Sequence, residues 1–376
     1  MNELVLGWRT LLLLLVSVHL LIAAAFLLRR QHERRANTYL VLLLVVAVGH
    51  FTPQMIGFAG FYDRWPQLSF TPFALDWFLG PLVWAYAWSL THEDAPPPGH
   101  WLWLPGFVEL GYGLVMMVQD GATKEWWSEH IHRPYIAHLE DSGGLIALII
   151  ALALSWLHYQ RYRAWLKDHS SAASEFDPRW LGAFLVAMGV LIAAIGINET
   201  AILLFGPLSY FQQYPVYIAA GAIFYGLALG ALLQQREAFP KMPTADMSDD
   251  APESVPAGRD WAVEAADLRQ RILAEAWHLE PRLTAPELAR RLATNETYLS
   301  RMVNLGAGQN FNRFINTIRV EAVQRELAGG AEDVLRAALA CGFNSKATFN
   351  RVFRDITGMT PAAYRARQEA GTQSGD

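Results

Sequence analysis

The sequence predicts an all-α protein in two parts: a seven-helix transmembrane bundle, then an all-helical domain with two helix-turn-helix units. Three observations predict it. Seven long apolar runs fill the first 235 residues, a polar and proline-rich stretch follows them, and the last part repeats its own residue pattern at a spacing of 50. Composition divides in the same way: twelve of the 14 Trp lie before residue 181, whereas Arg and Glu concentrate after residue 258. The expected domains are 1–235 in the membrane, a disordered acidic linker at 236–260, a DNA-binding domain at 261–368 and a disordered tail at 369–376.

Crossing a hydrocarbon core of about 30 Å takes roughly 20 helical residues. Runs of that kind stand near 4–28, 38–60, 70–90, 101–118, 143–165, 181–206 and 214–233. The first is too long for a cleaved secretory signal, and Ala23, Ala24 and Ala25 are followed by more apolar residues before Arg29 and Arg30. It reads as an uncleaved anchor.

Lys and Arg are retained on the cytoplasmic side, so loop charges set the orientation. With the N-terminus outside, the inner segments hold Arg29, Arg30, Arg34, Arg35, Arg161, Arg163, Lys167, Arg179, Arg236 and Lys241. The outer segments hold only Arg64, Lys124 and Arg133. An odd number of crossings then places the C-terminal domain inside, and the expected location is a bacterial cytoplasmic membrane. Trp65, Trp101, Trp103, Trp126, Trp127, Trp165 and Trp180 fall near the expected span ends, where aromatic rings meet lipid headgroups.

Several polar side chains lie inside the spans: His19, His50, Asp76, Glu109, Asn198 and Glu199. Such groups face a bundle interior, either as hydrogen bonds between helices or as part of a sensing pocket. Asp76, Glu109, Glu199 and His50 are the candidates for effector binding or signal relay. His130, His132 and His138 lack a cysteine and a defined ligand geometry, so no metal is expected and their loop reads as solvated. Ala222, Gly226 and Gly230 form a stripe of small residues in the seventh run, suited to packing within the bundle or to a homodimer face.

From Gln234 to Asp260 the chain carries Pro240, Pro243, Pro252, Pro256 and an acidic run, a composition that buries no core. Net charge is -5 overall, yet Arg259 to Arg367 carries 16 Lys and Arg against 12 Asp and Glu, a surplus of four positive charges. That sign suits a DNA partner. The single cysteine, Cys341, forms no intrachain disulfide and reads as a small core residue.

Arg301 and Arg351, Gly308 and Gly358, and Phe314 and Tyr364 each stand 50 residues apart. In the first unit, about 284–304, Thr284 and Glu287 open a helix with a capping box, and Leu288, Ala289 and Leu292 face inward. Asn295 caps the next helix, whose Leu299, Met302 and Val303 point in and whose Thr297, Ser300 and Arg301 share the outer face. In the second unit, about 334–355, Leu335, Ala338 and Leu339 precede a turn through Cys341, Gly342, Phe343 and Asn344. The helix after it turns Phe349, Val352 and Phe353 inward and Lys346, Thr348, Asn350 and Arg351 outward.

The run Cys341 to Phe353 (CGFNSKATFNRVF), followed by Thr357 to Arg365 (TGMTPAAYR), resembles the signature of the AraC/XylS family of transcription regulators. LARRL at Leu288 to Leu292, YLSRM at Tyr298 to Met302 and IRVEA at Ile318 to Ala322 agree with it. The resemblance covers roughly the last 100 residues and implies a regulator that inserts two recognition helices into double-stranded DNA and works with RNA polymerase. Val303, Asn304 and Leu305 replace aromatic and basic residues usual in the family, which implies fewer phosphate contacts on that side. The resemblance does not extend to the first 240 residues and implies no effector for them.

The expected function is therefore a membrane-anchored, sequence-specific DNA-binding regulator, a one-component sensor that is not an enzyme and needs no cofactor. The alternative is a membrane transporter or enzyme with an appended regulatory domain. Against that alternative, the spans hold no phosphate-binding glycine loop, no nucleophile with an identifiable base and no evident internal repeat.

Overall fold

The computed structural model describes Leu4 and residues 6–92, 96–205, 210–234, 239–242, 260–329 and 333–373. Among these every regular element is a helix. The chain divides into two compact units, Met1–Gln160 with Pro178–Thr244, and Arg161–Asp177 with Ala245–Asp376. The division departs from the expected boundaries, because a segment ascribed to the membrane part packs with the C-terminal domain.

The first unit contains α1 (Trp8–Leu28), α2 (Arg34–Phe58), α3 (Phe61–Arg64), α4 (Leu79–Thr91), α5 (Leu104–Met117), α6 (Gly121–Trp127), most of α7 (Ala137–His169), α8 (Arg179–Phe205) and α9 (Tyr210–Gln234). Five stretches are long and apolar enough to cross a membrane: α1, α2, the continuous run Gly121–His169, Arg179–Ile197 and Phe211–Leu233. The expected count of seven is corrected by α4 and α5. With 13 and 14 residues they reach about 20 Å at 1.5 Å per residue. Proline is the local reason: Pro72 biases Thr71 away from helix, Phe70 takes a left-handed φ of 62°, and helix begins only at the 3-10 turn Asp76–Phe78. The outer segment expected as a solvated loop is instead helical, with a π-helical stretch at Ser128–Ile136 that accommodates the missing N–H of Pro134.

α1 is apolar on both sides: Leu11, Leu15, Val18, Ile22 and Phe26 face outward, while Leu13, Leu20 and Leu27 are buried beside Thr10 and Ser17. Of the small-residue stripe, a Cβ on Gly230 would meet Trp180 Cβ at 2.4 Å, so this glycine packs within the bundle. Ala222 and Gly226 are exposed.

Most of the expected linker lies outside the described residues, but Phe239–Met242 is not free. Phe239 is buried and donates its N–H to Glu33 Oε1 at 2.8 Å; Lys241 pairs with Glu33 and donates to the Leu90 carbonyl at 3.0 Å; Met242 N donates to the Thr91 carbonyl at 2.7 Å. An aromatic ring and an ion pair tie down what proline content alone marked as disordered.

The second unit contains α10 (Trp261–Ala274), α11 (Ala285–Arg291), α12 (Glu296–Arg301), α13 (Phe311–Ala328), α14 (Val334–Ala340), α15 (Lys346–Thr357) and α16 (Pro361–Gln373). α16 extends beyond the expected tail boundary because residues 367–373 are mostly tolerated in helix. Residues 374–376 of the expected tail lie outside the described residues.

Side-chain caps start these short helices, satisfying N–H groups that a first turn leaves unpaired. Asn295 Oδ1 accepts from Tyr298 N at 2.8 Å and Ser345 Oγ from Thr348 N at 3.2 Å; Asn310 Oδ1 accepts from Arg313 N at 2.9 Å and Thr360 Oγ1 from Ala363 N at 3.2 Å. The caps themselves thus recur at 50 residues, as do Gly308 and Gly358, both with positive φ. The turn before each second helix also needs a left-handed residue, supplied by Ala293 (φ 53°) and Gly342 (φ 90°). At Gly342 any Cβ would lie 2.4 Å from the His278 carbonyl oxygen, so only glycine fits.

Each unit of the repeat has its own core. Leu288, Ala289, Leu299, Val303, Phe311, Phe314 and Ile318 form the first, and Val320, Val323, Ala338, Cys341, Phe343, Phe349 and Phe353 the second. α13 supplies side chains to both, its first turns to one and its later turns to the other. Each fully buried large side chain stabilises its core by about 1.5–3 kcal/mol. In α14 Leu339 is 46 % exposed while Ala337 and Ala338 are buried, because the helix turns positions 334, 337, 338 and 341 toward the core.

Candidate functional site

Leu299 anchors α12 in the first core, which leaves Thr297 exposed and Ser300 and Arg301 half-buried on the other side. Ser300 Oγ accepts from Asn304 Nδ2 at 3.0 Å. Phe349 and Phe353 anchor α15 in the second core, which leaves Lys346, Asn350 and Arg351 exposed. Thr348 is different. It is half-buried, and its N–H and hydroxyl both contact Ser345 Oγ, at 3.2 and 3.1 Å, so it belongs to the helix cap.

Among the described residues neither Arg301 nor Arg351 has a hydrogen-bond or ion-pair partner. Two long cations held without intramolecular partners at repeat-equivalent positions are free to meet an anionic ligand. Beside α15 runs an open groove of about 980 Å³, lined by Lys346, Asn350 and Arg351 together with Arg354 and the first residues of α14 and α16. Arg354 is a residue that the sequence reading missed. Its spacing of three from Arg351 and four from Asn350 on one helical face is the signal that finds it.

In the first unit, His50 Nδ1 lies 2.7 Å from Asp76 Oδ1, and Glu109 accepts the N–H groups of Asp76 and Trp77, each at 3.2 Å. Three of the four membrane candidates therefore meet. Gly49 permits it, because a Cβ there would sit 2.2 Å from the Phe73 carbonyl oxygen, and the close approach of this segment brings Asp76 to α2. Glu109 satisfies N–H groups at the start of the helical segment that leads into α4, a capping role alongside any other. The side chain of Glu199 lies outside the described residues, and His19 hydrogen-bonds locally, to the Leu15 carbonyl at 2.7 Å.

Two repeated helix pairs, each with a core-anchored second helix and an outward polar face, define a helix-turn-helix domain. Residues 288–367 match the family described as a helix-turn-helix domain, and the AraC-type resemblance holds for this C-terminal part. An uncharacterised HTH-type transcriptional regulator of Staphylococcus aureus strain COL is 33% identical over 97 residues, covering 26% of this chain and 13% of that protein. An HTH-type transcriptional regulator of Mycobacterium tuberculosis is 33% identical over 79 residues, covering 21% and 30%. The chain thus spans well under half of the relatives it matches. No solved structure matches it.

Proposed function

We propose that this chain is a membrane-anchored, sequence-specific DNA-binding transcription regulator of AraC/XylS type, a one-component sensor in the bacterial cytoplasmic membrane. The observation that carries the reading is the repeated helix-turn-helix unit with an unpartnered arginine at the same outward position in each copy. Double-stranded DNA is the partner of Thr297, Ser300, Arg301, Lys346, Asn350, Arg351 and the neighbouring Arg354; Thr348 shapes the start of its helix. RNA polymerase is the partner through which bound regulator alters transcription. A homodimer would use the exposed Ala222 and Gly226 of α9.

Contacts between chain segments fit an odd number of crossings with the N-terminus outside. Segments expected inside contact one another: Glu33 with Lys241, and Thr91 with Met242. Segments expected outside do the same, Lys124 donating to the Gln67 carbonyl at 2.8 Å. Arg161–Asp177, expected inside, belongs to one compact unit with the helix-turn-helix domain, which fits a cytoplasmic location for both. The cluster of His50, Asp76 and Glu109 is the proposed effector or relay site; its His50 and Asp76 side chains keep 28% and 38% of their surface open.

Mapping the chain's occupancy across the genome tests the reading. Discrete promoter sites that vanish with R301A/R351A are expected. Occupancy spread without preference, or unaltered by both substitutions, would overturn it.

A further inference from the structure

Ser170–Asp177 continues directly from α7, and it carries none of the outward-facing side chains described above. Within the second unit it is nevertheless fastened at several points. Ser171 N donates to the Leu283 carbonyl at 3.1 Å, just before the first helix-turn-helix unit. Asn312 Nδ2 donates to the carbonyls of Ser170 and Ser171 at 2.9 and 2.8 Å, and Asn316 Nδ2 to that of Ser171 at 3.1 Å, which fixes the segment to α13. Asn344 Nδ2 donates to Glu175 Oε2 at 2.7 Å, in the turn that leads into α15. His169 Nε2 stands 3.9 Å from Glu296 Oε2 at the start of α12.

The centre of this contact is a buried cation. Arg319 on α13 is 2 % exposed and spends its donors on the carbonyls of His278 and Glu280, on Asn316 Oδ1 and on Ser171 Oγ, the last at 3.1 Å. Burial lowers the Arg319 pKa to about 10, and the negative charge of Glu175 acts against that shift. Ser170 and Ser171 are 0 % and 2 % exposed. Polar groups are buried at this depth only when their partners hold them, so the segment is part of the domain's structure.

Without this segment, α13 is the main link between two otherwise separate cores. It is a lever of about 27 Å at 1.5 Å per residue, and a tilt of about 10° moves its far end by roughly 5 Å. Base readout tolerates about 0.5 Å. We propose that Ser170–Asp177 is a brace that fixes the separation of the two recognition helices, and that α7, from which it continues, controls DNA binding by seating or releasing it. The inference rests on the DNA-binding reading above. It follows from contacts to the first helix-turn-helix unit at Thr284, to the second at Asn344 and to the helix between them, all made by one short segment.

The test uses the full chain in lipid nanodiscs and duplexes that the parent chain enriches from a random library, remade with the spacing between half-sites changed by one or two base pairs. S171A/E175Q should bind a single half-site as the parent does. On the optimally spaced duplex it should bind roughly 3- to 10-fold more weakly, with a flattened preference for spacing, because the second contact loses its preorganisation. Amide hydrogen exchange should show Ser170–Asp177 released while α11 and α15 stay protected. A released segment with the parent's spacing profile would refute the brace, and tighter binding on every duplex would show a shield in its place. N312A/N316A provides a second route to release; protection that survives both variants would overturn the contact itself. A parent chain that enriches no duplex would remove the DNA-binding reading and the brace with it.

Discussion

Arg319 donates from Nε to the main-chain oxygen of His278 at 2.8 Å, so a buried guanidinium on α13 holds the backbone carbonyl of a buried histidine. Burial keeps the His278 pKa below its ordinary value of 6.5, and the charges of Arg319 and Arg325 push the same way. A depressed pKa stabilises the fold above the unfolded value and loses that contribution as pH falls through the folded one. The second unit should therefore melt at a lower temperature at about pH 5.5 than at about pH 7.5, and H278Q should reduce that slope. Equal slopes in parent and variant, followed by circular dichroism, would count against it.

The two outward arginines should act separately. R301A and R351A in the full chain should each weaken binding to a selected duplex about 5- to 150-fold, each relaxing preference in one half of the site, as loss of a bidentate contact to guanine does. The double variant should keep only weak, salt-sensitive attraction to phosphates. Titrations on selected and scrambled duplexes at two salt concentrations decide it: equal losses on both DNAs would mean backbone contacts alone.

Topology is checked with reporter fusions after Lys124 and after Ala257. An external signal at Lys124 and a cytoplasmic one at Ala257 are expected. The reverse at either position ends the N-out, C-in arrangement.

For the membrane cluster, D76N weakens the pairing with His50, and E109Q leaves one fewer carboxylate oxygen for the N–H groups of Asp76 and Trp77. Both should change the response of a target promoter to its inducing condition while membrane insertion and DNA affinity stay at parent levels. E199Q is the third variant. If all three respond like the parent, the cluster is a set of structural hydrogen bonds.

Helix content and the helix-turn-helix repeat were legible in the residues because both rest on local rules. Thr284, Asn295 and Ser345 are capping residues next to the helices they start, and Leu299, Phe349 and Phe353 recur at helical spacing. Seven apolar runs were legible too, but not that two would fold short; that depended on how Pro72 and Gly49 let the segment near Phe73 press against α2. The meeting of His50, Asp76 and Glu109 was equally out of reach, since residues 26 and 33 apart become neighbours only through packing.

The order of residues by itself determined which apolar positions share a face and where helices start. Tertiary structure decided that Phe239–Met242 is pinned, that Thr348 serves a cap, and that Ser170–Asp177 joins the DNA-binding unit. The physical reason is range. Caps and amphipathic faces are set by neighbours three or four positions away, whereas Ser171 meets Arg319 148 residues along the chain, and no local pattern marks that pairing.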